Sequence, residues 1–209
     1  MDTQRVIDHY SHVRYPNFFT EDECKHIGYI LTRDEHKILR IPNTYDSSYT
    51  GLTKQHEVYN LLEHPDIRPL KIPQRIFNLP LFQQEDTLRF QCWGNILRHN
   101  EGLDNHVHGS EDEAPIEILE QKNQFYACNV FIDGQEPSYT HYEDIGKTRN
   151  IKGEMHIVGC MVEHGVRTNL YAQPRLSIAM DVYTPLGFNQ LDLDILNGVS
   201  KRRHMEFHR

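Results

Sequence analysis

Residues 151–183 read IKGEMHIVGCMVEHGVRTNLYAQPRLSIAMDVY. Two runs, EMHIVG (154–159) and RLSIAMDVY (175–183), are rich in β-branched and aromatic side chains and are bounded by Gly, Asn and Pro, which predicts strands. A third, short strand is predicted near EHGVR (163–167). Arg175 and Ser177 lie two apart on the last strand and so share a face. Leu176, Ile178 and Met180 make that strand otherwise apolar, and an inward-facing guanidinium among them demands an anionic partner. Its planar fork suits a carboxylate.

Outward from this stretch the texture holds. TLRFQCWGNIL (87–97), QFYACNVFI (124–132) and SYTHYE (138–143) carry the same strand signals. The first third differs: NFFTEDECKHIGYIL offers Thr20 as a cap with Glu23 three residues on, and Cys24, Ile27 and Leu31 at helical spacing, which predicts a helix over 21–32. A second helical start falls at Thr53, with Val58, Leu61 and Leu62 as its apolar stripe, ended by Pro65. Many short strands after a helical start predict a mainly β chain of α+β class, a sandwich or barrel with N-terminal helices packed on one face. At 209 residues a single domain is expected: a helical or mixed part over 1–80, a β core over 85–185 and an extension over 186–209.

GLDNHVHGSED (102–112) places His106 and His108 two apart. In extended backbone both imidazoles point the same way, with Val107 turned aside. His164, separated from His108 by 55 residues, is the best third ligand, and three protein ligands leave open the positions a catalytic metal needs. Asp104, Glu111 and Asp112 are the oxygen donors near by and stay open as alternatives to His108. An open metal site beside Arg175 and Ser177 is what a bidentate keto-acid requires.

These residues resemble the Fe(II)/2-oxoglutarate-dependent dioxygenases, in particular their prolyl 4-hydroxylase-like branch. The similarity spans most of the chain: YPNFFTEDECKHI resembles the opening helix, FYACNVFIDG and SYTHYED the central strand pair, and 151–183 the closing order of glycine, strand, histidine and Arg-x-Ser. The resemblance implies a double-stranded β-helix, a jelly-roll or cupin-like barrel. It implies Fe(II) on His106, His108 and His164, with 2-oxoglutarate chelating the metal and reaching Arg175, assisted by Ser177. Dioxygen would be the co-substrate, a substrate C–H bond would be hydroxylated, and succinate and carbon dioxide would be released. Asn95 and Asn129, on strands expected to line the barrel, are candidates to bond the keto-acid or to make structural hydrogen bonds. The sequence departs from the pattern at one place: His108 stands where most of the family has an acid.

Two other readings of the same histidines remain open. One is a cupin-type three-histidine metal dioxygenase that uses no keto-acid, although such an enzyme has no need of Arg175 and Ser177. The other is a non-catalytic ligand-binding barrel, which His108 in place of an acid keeps in play. His141 and His156 are expected to be structural or exposed, and Trp93, Tyr126 and Phe131 to be core or pocket wall.

Bulk properties narrow the field. A formal charge of −8 repels an extended phosphate backbone, so non-specific nucleic-acid binding is not expected. The basic run SKRRHMEFHR at the C-terminus reads as a solvated end. Four scattered cysteines without a C-x-x-C pair, and no leader-like start, predict a cytoplasmic chain with reduced thiols. No apolar run reaches the ~20 residues a bilayer demands. The substrate is expected to be a peptide or small molecule; the oligomeric state is not legible. The acidic insert over 109–124 is expected to border the substrate entrance.

Overall fold

Thr20 Oγ1 accepts the Glu23 amide while Glu23 Oε2 accepts the Thr20 amide, the reciprocal cap that starts helix α1, Glu21–Ile38. The helix runs past the expected end at 32 because its buried face continues through Asp34 to Ile38. Asp34 is held there by Arg33, Lys37 and His64. The computed structural model describes residues 12–43, 51–108, 125–143, 145–185 and 204–209.

The helix expected from Thr53 does not form. Two 3₁₀ turns, Gly51–Gln55 and Leu61–Glu63, take its place. Gln91 Nε2 donates to the carbonyls of His56 and Tyr59, and Asn60 caps Leu62 N at 3.1 Å while donating to Phe90 O at 2.8 Å. Bonds to residues 90 and 91 thus win over the helical ladder, a tertiary override of a local pattern. A short helix α2, Ile72–Phe77, follows.

The strands are β1 (Val13–Tyr15), β2 (Thr87–Leu97), β3 (Leu103–His106), β4 (Phe125–Asp133), β5 (Ser138–Tyr142), β6 (Gly146–Asn150), β7 (Met155–Gly159), β8 (His164–Val166), β9 (Arg175–Tyr183) and β10 (Met205–His208). Two antiparallel sheets result, β1-β7-β4-β9-β2-β10 and β3-β8-β5-β6. β10 arises from the tail read as a solvated end; Arg209 anchors it by donating to the carbonyls of Phe77 and Phe82 at 2.8 Å each.

Strand alternation sorts the larger sheet into two chemically different faces. Phe90, Cys92 and Ile96 of β2, Leu176, Ile178 and Met180 of β9, and Val130 and Ile132 of β4 join Ile27, Ile30 and Leu31 of α1 and Ile76 of α2 in one apolar core. Burying each such large side chain stabilises by roughly 1.5–3 kcal/mol. Gly28 of α1 packs close to Leu176 and Ile132. The opposite face carries Asn95 in register with Ser177, and Trp93 and Asn129 both in register with Ala179. It looks toward the smaller sheet: Arg175 Nε donates to Ser138 Oγ of β5 at 3.2 Å. The polar groups are therefore collected between the sheets. No described helix is long and apolar enough to cross a membrane.

Candidate metal centre

His106 closes β3 and His164 opens β8, and the two are Cα partners across that strand pair. Gly165 permits the approach: a Cβ there would stand 2.8 Å from Leu103 O and 2.5 Å from Asn105 Oδ1. His108 lies just past β3, its backbone amide bonded to Cys160 O at 2.9 Å. The three rings gather with centroids 4.7–5.3 Å apart. One ligand atom from each lies within 4.8 Å of the others.

The second nitrogen of each ring decides which atom faces inward. His106 Nδ1 lies 2.8 Å from Asp104 O, His164 Nδ1 lies 2.8 Å from Val162 O, and His108 Nδ1 bonds Asp181 Oδ1. With acceptors on all three Nδ1 atoms, the tautomers assigned from those partners leave each Nε2 lone pair for a metal. Burial, then the neighbouring His108, pushes His106 down to about 4 and His164 to about 3. Both are neutral at pH 7, the form that binds a cation. The donor set fits a divalent transition metal.

Of the acids considered as substitutes for His108, Asp104 is exposed and stands outside the cluster of possible metal ligands. Glu111 and Asp112 lie outside the described residues, as does the 109–124 insert.

Arg175 is 5% exposed, and its hydrogen-bond partners are Ser138 Oγ and, at 3.0 Å, Ser177 Oγ. With its amide oriented by its neighbours, Asn150 adds an oxygen 3.2 Å from the guanidinium. The Phe131 ring lies beneath, 5.6 Å away. Every one of these groups is neutral, and burial lowers Arg175 to about 10. Among the described residues no carboxylate pairs with it. Asn95 Nδ2 donates to Ser177 Oγ at 3.4 Å and its Oδ1 accepts from Thr53 at 2.6 Å, so Asn95 braces the arginine's neighbour. Asn129 is half-buried on the same face, in register with His156.

Tyr142 links the two halves, its ring 5.7 Å from His164 and its hydroxyl 3.2 Å from His156 Nδ1. His156 is 2% exposed and lies against Glu154, which pairs with Arg14 at 2.6 Å. Trp93 stacks on His108 at 5.7 Å, whereas Tyr126 packs in the apolar core. His141 faces away, on the outer groove lined by Asp104 and Arg167. Sequence reasoning missed Asp181, Tyr142, Ser138 and Asn150. For Asp181 the signal was present, because residues 175, 177 and 181 keep the same parity on one strand.

No family model matches the chain, and no curated protein matches it in sequence. Its fold is nevertheless that of the 2-oxoglutarate-dependent oxygenases, two facing antiparallel sheets in a jelly-roll. HygX from Streptomyces hygroscopicus, solved with nickel and 2-oxoglutarate bound, superposes with a TM-score of 0.58 at 13% identity, covering 83% of this chain and 82% of HygX. The viral collagen prolyl hydroxylase of Paramecium Bursaria Chlorella virus-1 gives 0.54 at 11% identity, over 88% of this chain and 95% of its own. SnoN, a non-heme alpha-ketoglutarate-dependent epimerase from nogalamycin biosynthesis, gives 0.53 at 12% identity, over 84% and 82%.

Proposed function

We propose that the chain is an Fe(II)- and 2-oxoglutarate-dependent dioxygenase that hydroxylates a C–H bond of a peptide side chain or small molecule. One observation carries this reading: three histidines gather their ring nitrogens on the inter-sheet side of the fold that also holds a buried guanidinium whose partners, among the described residues, are all neutral. A buried cation without a counter-charge is costly, and a dianionic keto-acid relieves that cost.

His106, His108 and His164 would hold Fe(II) through Nε2. Arg175 would take the distal carboxylate of 2-oxoglutarate in its planar fork, with Ser177 and Ser138 fixing the fork and Asn95 fixing Ser177. Asn129 borders the same space. The bound metal and keto-acid supply the oxidising chemistry, consuming dioxygen and releasing succinate and carbon dioxide. The protein's share would be orientation and dryness, with Trp93 against His108, Phe131 against Arg175 and Tyr142 against His164 as the apolar surroundings. HygX also binds hygromycin B and the viral enzyme is named for collagen, which supports a small-molecule or peptide substrate. The reading also treats residues 1–209 as one domain whose N-terminal helices back the β core, in a cytoplasmic chain; its four cysteines are unpaired.

Three histidines with no acid among them also suit a cupin-type dioxygenase that works without keto-acid. Arg175 argues against it, because without a keto-acid no described residue gives the guanidinium an anion. Slow succinate formation from 2-oxoglutarate in air, dependent on added Fe(II) and without primary substrate, tests the choice. Absence of succinate from fully metallated protein contradicts the proposal.

A further inference from the structure

Asp181 is 1% exposed on β9, the strand that carries Arg175 and Ser177, and its Oδ1 accepts the Nδ1 hydrogen of His108. The other two histidines bond backbone carbonyls at the same atom. Among the described residues, the group that meets the far side of His108 is thus a carboxylate. β9 lies between β4 and β2, so the acid sits on one of the most firmly held strands of the larger sheet.

Charge balance gives this contact a purpose. Three imidazole ligands bring no negative charge to a divalent ion, and Arg175 adds one more positive charge. A dianionic keto-acid offsets two of these three positive charges and leaves one. Glu154 is already matched by Arg14. Asp181 places a carboxylate at the ring of a ligand.

We propose that Asp181 is a positioning residue of the metal centre, holding His108 Nε2 toward the ion and providing through that ring the negative charge the ligand set lacks. This rests on the metal reading above and goes beyond it. Such outer carboxylates orient the ligand and raise its basicity, and their loss typically costs 10–100-fold in metal affinity. One strand thus carries both the keto-acid anchor and the counter-charge of the metal.

The test is anaerobic calorimetry with Co(II), without keto-acid, on the unaltered protein and on Asp181→Asn, with the visible spectrum of bound Co(II) recorded for each. Asp181→Asn is expected to weaken Co(II) about 10–100-fold, to keep the stoichiometry and to shift the Co(II) bands. A merely structural role would change melting of the metal-free protein and leave affinity and bands alone; that result overturns the proposal. If the unaltered protein binds no Co(II), the metal reading itself falls, which is a different result. Should Asp181→Asn not fold, nitrogen-15 spectra of the zinc-loaded unaltered protein decide. The Nδ1 hydrogen of His108 is expected well downfield of those of His106 and His164, and three similar shifts overturn the proposal.

Discussion

His106 and His164 face each other in register across the β3–β8 pair, with ring centroids 4.7 Å apart. A ligand pair built on two strands is held by backbone hydrogen bonds rather than by loop conformation. Replacing either with alanine is expected to weaken Co(II) by about 100-fold or more, at least the upper end of the loss seen for outer partners. His141→Ala, on the outer side of the same sheet, is expected to leave affinity unchanged. Calorimetry on the three variants checks this, and equal losses would dissolve the site.

Arg175 gives a prediction with opposite signs in the two states of the protein. Arg175→Leu removes a buried cation whose partners among the described residues are neutral, so the metal-free protein should melt no lower than the unaltered one. Keto-acid affinity should fall by about 2–5 kcal/mol, the cost of losing one partner of a buried charge pair. Metal affinity should hold. Melting curves with and without 2-oxoglutarate test both signs, and a lower melt in the metal-free state with undiminished keto-acid stabilisation would contradict the assignment.

Legibility in the sequence followed burial. β2 and β9 were readable to the residue, because nearly every position in them is buried and apolar or β-branched residues dominate. β6, Gly-Lys-Thr-Arg-Asn, has mostly exposed or half-buried side chains and gave no strand signal; its pairing with β5 supplies what local propensity lacks. The Thr53 segment failed for the converse reason, since a helical apolar stripe lost to hydrogen bonds from Gln91 and Asn60. At the site, His-x-His and Arg-x-Ser were visible as short spacings. Tyr142, Ser138 and Asn150 were not, because their meaning comes from facing Arg175 or His164 across sheets joined by long connections.

His12 sets an acid dependence. Burial, then the charges of His156 and Arg14, pushes it down to about 4, whereas an unfolded histidine titrates near ~6.5. Between those values the unfolded chain binds the extra proton, so stability rises with pH there. The contribution is fully present above about pH 6.5 and declines as pH falls toward 4. Urea midpoints over that window should fall less steeply with acidification for His12→Gln than for the unaltered protein; parallel slopes would contradict the placement of His12.

Gly153 ties the start of α1 to the larger sheet. Its φ is +76°, its carbonyl accepts Phe19 N at 3.0 Å, and a Cβ would stand 2.2 Å from Phe19 O. Gly153→Ala should cost roughly 2–4 kcal/mol, adding the conformational penalty to the clash. Gly146, at φ +84° with nothing within 4 Å, should lose about 1 kcal/mol on the same change. Denaturant unfolding compares them, and equal losses would mean that the close approach at Phe19 carries no energy.

The most direct test is an anaerobic titration of 2-oxoglutarate into Fe(II)-loaded protein, followed by visible absorbance, with the unaltered chain beside Arg175→Leu. A weak charge-transfer band that grows to one equivalent in the unaltered protein, and is absent from the variant at the same concentrations, is the predicted result. No band in fully metallated unaltered protein, or the same band at the same affinity in Arg175→Leu, would contradict a keto-acid held between the three histidines and Arg175.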